Sequence, residues 1–83
     1  MARILVVDDE PAVRIALIML LEDDGHSVTQ LDDGKNVMEV IEKFGVDVIL
    51  LDLSMPDVDG FQVLDMLRKD KKAASIPVIV VSA

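Results

Sequence analysis

The sequence predicts an α/β fold: a parallel sheet with helices on its faces. Three observations carry this. Short, continuous apolar runs rich in β-branched residues recur at 3–8, 46–51 and 76–81. Strands covered on both faces read this way. Amphipathic stretches of helical length separate them, so strand and helix alternate along the chain. The first two of these runs end in acids, Asp8-Asp9 and Asp52.

The elements follow in order. Arg3 to Asp8 is the first strand. Asp9, Glu10 and Pro11 then form a helix-start signal, because Pro is preorganised for the first helical turn. The helix runs from Pro11 to about Asp24, with Val13, Ala16, Leu17, Leu20 and Leu21 as its expected core stripe. Gly25 is a natural C-terminal stop. His26 to Leu31 is a brief second strand, and Asp32-Asp33-Gly34 a turn. Lys35 to Phe44 forms a second helix, with Val37, Val40, Ile41 and Phe44 along one face. Gly45 closes it. Val46 to Leu51 is the third strand, and Leu53 to Gly60 a loop. Phe61 to about Asp70 is a third helix with Phe61, Leu64 and Leu67 on one stripe. Lys69, Lys71 and Lys72 gather at its C-terminal end, where cations suit the helix dipole. Ile76 to Val81 is the fourth strand, before Ser82 and Ala83.

Composition narrows the function classes. The 83 residues carry 16 Asp+Glu against 8 Lys+Arg, a formal net charge of -8. That balance argues against direct nucleic-acid contact, which needs a basic footprint. Hydrophobic residues make up 52% of the chain, too many for a disordered acidic tail. No apolar run approaches the roughly 18 residues of a membrane span, and no signal peptide is evident. Without Cys there is no disulfide framework and no thiolate metal site. One globular unit is expected, in the cytoplasm and away from the membrane.

The acids are the chemical feature. In open α/β sheets, ligands bind beyond the carboxyl ends of the strands, where the strand order reverses. In the flavodoxin-like order that point lies between the first and third strands, so Asp8, Asp9 and Asp52 are expected to converge there. Two like charges about 4 Å apart repel by roughly 4 kcal/mol at an effective dielectric near 20. A raised pKa, a cationic side chain or a metal must offset this. An all-oxygen cluster suits a hard cation, and Mg²⁺ is the usual choice. A carboxylate beside Mg²⁺ can also attack phosphorus to give an aspartyl phosphate. A plainer reading makes Asp8, Asp9 and Glu10 helix caps and Asp52 a loop-entry residue.

The segments Ile4-Leu-Val-Val-Asp-Asp-Glu-Pro11, Val48-Ile-Leu-Leu-Asp-Leu-Ser-Met-Pro56 with Asp59-Gly60, and Pro77-Val-Ile-Val-Val-Ser-Ala83 together resemble a response-regulator receiver domain. The resemblance spans essentially the whole chain. It implies a flavodoxin-like, three-layer fold and a phosphoacceptor role in two-component phosphorelay signalling. Asp52 would be the phosphoacceptor, supplied by a sensor histidine kinase or phosphotransfer protein. Asp8 and Asp9 would hold Mg²⁺ together with Asp52 and the backbone carbonyl of Ser54. Ser82 would be the switch hydroxyl. The domain would assist its own phosphorylation and dephosphorylation without being an enzyme.

The departure lies at the C-terminus. A receiver has five strands in the order 2-1-3-4-5 and five helices. The chain is therefore read as residues 1–83 of one receiver domain, truncated to βαβαβαβ with order 2-1-3-4. The fifth strand, the last two helices, the family's phosphate-facing Lys and its coupling aromatic are expected to be missing, impairing phosphorylation more than Mg²⁺ binding. Self-association is expected through the exposed fourth strand or the wide apolar arc of the first helix, where Ile15, Ile18 and Met19 lie outside the main stripe.

Two other functions compete. One is an interaction or scaffold fragment without phosphotransfer. The other is a Mg²⁺-dependent phosphohydrolase, which usually carries a second Asp two residues past its nucleophile. Ser54 stands there instead. His26 reads as a solvated turn residue, and Asp57 and Asp59 as loop and cap residues.

Overall fold

The computed structural model describes residues 1–53 and 60–81. Among these, four strands alternate with three α-helices. They are β1 (Arg3–Val7), α1 (Pro11–Asp23), β2 (Ser27–Leu31), α2 (Val37–Phe44), β3 (Val48–Leu51), α3 (Gly60–Lys69) and β4 (Val78–Val80), with a 3₁₀ turn at Ala73–Ser75. The strands form one parallel sheet in the order β2-β1-β3-β4. This is the flavodoxin-like arrangement the alternation predicts.

Register follows from the apolar runs. Ile4 stands beside Val48 and Val7 beside Leu51, so β1 and β3 end level with each other. Strand side chains alternate between faces. Leu5, Val7, Ile49 and Leu51 point to one face, where Val37 and Val40 of α2, Val63 and Leu67 of α3, and Ala73 complete the main core. Ile4 and Val6 are buried on the opposite face, the side of α1.

The core-facing stripe of α1 differs from the expected one. Val13, Leu17 and Leu21 turn inward as predicted, joined by Arg14 and Ile18, while Ala16 and Leu20 face outward. Leu20 is 70% exposed, and no residue of α1 is fully buried. The reason is that α1 is apolar without interruption from Ile15 to Leu21. Such a run has no phase of its own, so packing against the sheet chooses the face. Phe44 and Phe61 also stand out from their helices instead of joining the core. In α3 the inward positions are Gly60, Val63 and Leu67, a spacing of three and four that leaves Phe61 on the outside.

The fourth strand is shorter than predicted. Its first two expected residues enter from the 3₁₀ turn, and Pro77 has no N–H to give a ladder. The Pro77 carbonyl nevertheless accepts from Ile49 N–H at 3.0 Å, and Val81 N–H donates to Leu51 at 2.9 Å.

Candidate functional site

The strand ends bring the acids together. Asp52 N–H donates to the Val7 carbonyl at 3.0 Å, continuing the β1–β3 ladder one step past both strands. Asp8 N–H likewise donates to Leu31 on the other side at 3.1 Å. These bonds hold Asp8 and Asp52 side by side, although 43 positions intervene between them in the sequence. Both are buried, at 4% and 7% exposure, and Asp9 is half-buried above them. One carboxylate oxygen from each of Asp8, Asp9 and Asp52 lies within 4.8 Å of the others.

The cap reading of these acids fails at Glu10. Glu10 is the N-cap of α1, and its side chain makes no capping bond. Asp8 Oδ1 instead accepts the Glu10 N–H at 2.9 Å, tightening the turn that leaves β1. The Asp8 carboxylate is thereby aimed by its own loop.

Electrostatics agree with crowding. The Asp9 carboxyl is held above the ordinary Asp value of 3.8. Lost hydration is the main cause, followed by a hydrogen bond with the Asp52 carboxylate and repulsion from its charge. Crowding of the carboxylates thus makes the proton on Asp9 harder to remove than from an isolated Asp.

Arg14 is a contributor that the motif reading passed over. Its Nη1 donates to the Asp8 carbonyl at 2.8 Å, and its Nε to Gln30 at 2.8 Å. It ties α1 and β2 to the strand end that carries the acids. The available signal was a lone cation in the first turns of an otherwise apolar helix. Ser54 and Ser82, with Met55, Pro56, Asp57 and Asp59, lie outside the described residues.

His26 is not a solvated turn residue. Its Nδ1 accepts the Ala2 N–H at 3.0 Å and its ring is only 26% exposed. It fastens the chain start at the end of the sheet opposite the acids. Arg3 and Asp47 lie at that same end and pair through two side-chain hydrogen bonds.

The donor set suits a hard divalent cation. It is all oxygen, and oxygens opposite each other on Mg²⁺ stand about 4.2 Å apart. A group already within 4.8 Å needs only a slight closure. Family comparison then decides the class. The response regulator receiver domain matches residues 4–83. The chain belongs to the response regulator receiver family. Receivers are signalling modules of two-component systems, a phosphoacceptor family that binds Mg²⁺ at an acidic pocket and interacts with sensor kinases or phosphotransfer proteins. Protein PilH of Pseudomonas aeruginosa is 40% identical over 82 residues, covering 99% of this chain and 68% of that protein. The N-terminal domain of a response regulator receiver protein from Methanoculleus marisnigri JR1 superposes with a TM-score of 0.91 at 30% identity, over 96% of this chain and 65% of that one. The response regulator TrrA from Thermotoga maritima, solved in complex with Mg²⁺-BeF, gives a TM-score of 0.86 at 33% identity, over 100% of this chain and 70% of that one. The receiver chain described here thus spans about two thirds of the length of these relatives. No helix among its described residues is long and apolar enough to cross a membrane.

Proposed function

We propose that this receiver takes a phosphoryl group on Asp52 from the phosphohistidine of a sensor kinase or phosphotransfer protein. The observation that carries the proposal is the approach of the Asp8, Asp9 and Asp52 carboxylate oxygens to within 4.8 Å. In the transfer, the bond from phosphorus to the donor imidazole breaks and a bond to an Asp52 carboxylate oxygen forms. Asp8, Asp9, Asp52 and the Ser54 carbonyl hold Mg²⁺ in this reading. The bound cation would neutralise charge on the transferring group and on the carboxylates. Burial of Asp52 limits water at the acyl phosphate once it forms. Ser82 is the proposed switch hydroxyl.

The domain reading stands as a proposal too: residues 1–83 form the N-terminal portion of one receiver domain. Within them the three carboxylates that would hold Mg²⁺ are all present. Self-association through β4 or α1 is also proposed, in keeping with the half-exposed Ile79 and Val80 and the outward Met19 and Leu20.

The test is direct. The chain is treated with Mg²⁺ and a small acyl phosphate, and intact mass is recorded. A single phosphoryl increment that Asp52→Asn abolishes supports the reading. Modification that survives Asp52→Asn, or none with the full-length parent, would overturn it.

A further inference from the structure

Arg14 directs its guanidinium at neutral oxygens. In a chain with 16 Asp+Glu, its Nη1 donates to the Asp8 carbonyl at 2.8 Å and its Nε to the Gln30 side-chain oxygen at 2.8 Å. Among the described residues it pairs with no carboxylate. Its backbone N–H bonds within α1, to Glu10, whereas the guanidinium reaches six positions back into the loop. The carbonyl it holds belongs to the peptide between Asp8 and Asp9. That peptide is trans, so it is planar with C=O and N–H on opposite sides. Fixing the Asp8 carbonyl therefore fixes the direction of the Asp9 N–H. This N–H acts on the Asp9 carboxyl itself. Lost hydration is the main influence raising that carboxyl, and the N–H opposes it by favouring the charged form.

The rest of the loop is pinned by other bonds. Asp8 N–H donates to Leu31 at 3.1 Å, and Glu10 N–H to Asp8 Oδ1 at 2.9 Å. Asp8 is thus held at its N–H and at its side chain, and α1 holds the far side of the turn. The peptide from Asp8 to Asp9 links those points, and Arg14 grips it. We propose that Arg14 is a positioning residue for Asp9. Through the Asp8 carbonyl it orients the Asp9 carboxylate toward Asp8 and Asp52, and so sets the affinity of the three acids for Mg²⁺. Gln30 is its brace. Arg14 and Gln30 line a surface hollow of about 230 Å³ with Leu31 and Asp32, so burial does not hold the guanidinium in place. The guanidinium is a rigid planar fork. Its Nε bond to Gln30 therefore also aims Nη1 at the Asp8 carbonyl. The inference rests on the Mg²⁺ reading of the acids proposed above, and Arg14 itself stays outside the cluster.

The sign of one effect separates positioning from charge. Arg14 is a cation, so its field by itself disfavours another cation nearby, and deleting it would tighten Mg²⁺ binding. Loss of positioning loosens it. Mg²⁺ is titrated by calorimetry into the full chain and its variants, with circular dichroism to confirm folding. Arg14→Ala is expected to raise the Mg²⁺ dissociation constant about tenfold or more, as removal of a group that orients a metal ligand does. Arg14→Lys keeps the charge but loses the planar fork, and is expected to fall between Arg14→Ala and the unsubstituted protein. Gln30→Ala leaves Arg14 and its charge in place, and is expected to give a smaller loss in the same direction. Without metal, the amide resonance of Asp9 is expected to move in Arg14→Ala while that of Leu5, inside β1, stays. Mg²⁺ affinity unchanged or tightened in folded Arg14→Ala, or in Gln30→Ala should Arg14→Ala not fold, would overturn the positioning role and leave the metal reading standing. An unsubstituted protein that binds no Mg²⁺ would overturn both.

Discussion

Gly60 lies against the backbone of Asp52. Its N–H donates to the Leu53 carbonyl at 3.2 Å, and a Cβ at this position would come within 2.5 Å of the Asp52 carbonyl oxygen and closer still to the Leu53 Cα. The first turn of α3 is therefore pressed directly onto the strand end that presents the proposed phosphoacceptor. The contact is to backbone, so it cannot be relieved by turning a side chain.

Gly60→Ala is accordingly expected to cost about 1–3 kcal/mol, the usual penalty of overpacking. Chemical denaturation measures it. The same substitution is expected to weaken Mg²⁺ binding, because relief requires either α3 or Asp52 to move. Unchanged stability with unchanged Mg²⁺ affinity would show that the helix start gives way freely.

Two acids give the stability opposite pH slopes. Asp9 is raised, so the folded state holds its proton more tightly than the unfolded chain. Its contribution favours folding below the ordinary Asp value of 3.8 and is lost as pH rises through the folded value. Asp47 is lowered by its hydrogen bonds with Arg3, first through the side chain and then through the Arg3 N–H. Its contribution is present above the ordinary value and is lost as pH falls through the folded one. Denaturation of the metal-free protein across the carboxylate range is expected to show both. Asp9→Asn should remove the loss on the alkaline side, and Asp47→Asn the loss on the acid side.

The proton held on Asp9 and a cation compete for the same carboxylate cluster. Saturating Mg²⁺ is expected to raise stability by about 2.7 kcal/mol at a hundred times its dissociation constant. The gain should shrink as pH falls toward the raised Asp9 value, since protonation removes a ligand charge. Asp8→Ala should abolish it and also loosen the turn held by the Glu10 N–H. Thermal unfolding with and without Mg²⁺ reads all three effects.

The face chosen by α1 is open to a simple check. Leu17→Ala, on the inward side, is expected to cost about 1–3 kcal/mol. Leu20→Ala, on the outward side, should stay within about 0.5 kcal/mol in dilute solution. Equal costs would place both residues against the sheet.

Much of the site was legible because its acids follow apolar runs. A strand covered on both faces announces itself by continuous hydrophobicity, and the first polar residue after it marks the strand end. Asp8 and Asp52 both stand there. Arg14 was not legible in the same way, because its guanidinium acts on the carbonyl of Asp8 and no local pattern encodes a bond across six positions to backbone. The partly buried His26 escaped for a similar reason. Its partner is the Ala2 N–H, brought to it by the pairing of β1 with β2.

The sequence by itself determined the alternation of strands and helices, the strand ends and the three carboxylates that follow them. Those features are local, set by residue type within one element. The tertiary structure alone decided which side of α1 is buried, the turning out of Phe44 and Phe61, and the approach of Asp9 to Asp52. An uninterrupted apolar helix has no preferred face until a sheet is laid against it. Acids more than forty residues apart have no mutual distance until β1 and β3 pair in register.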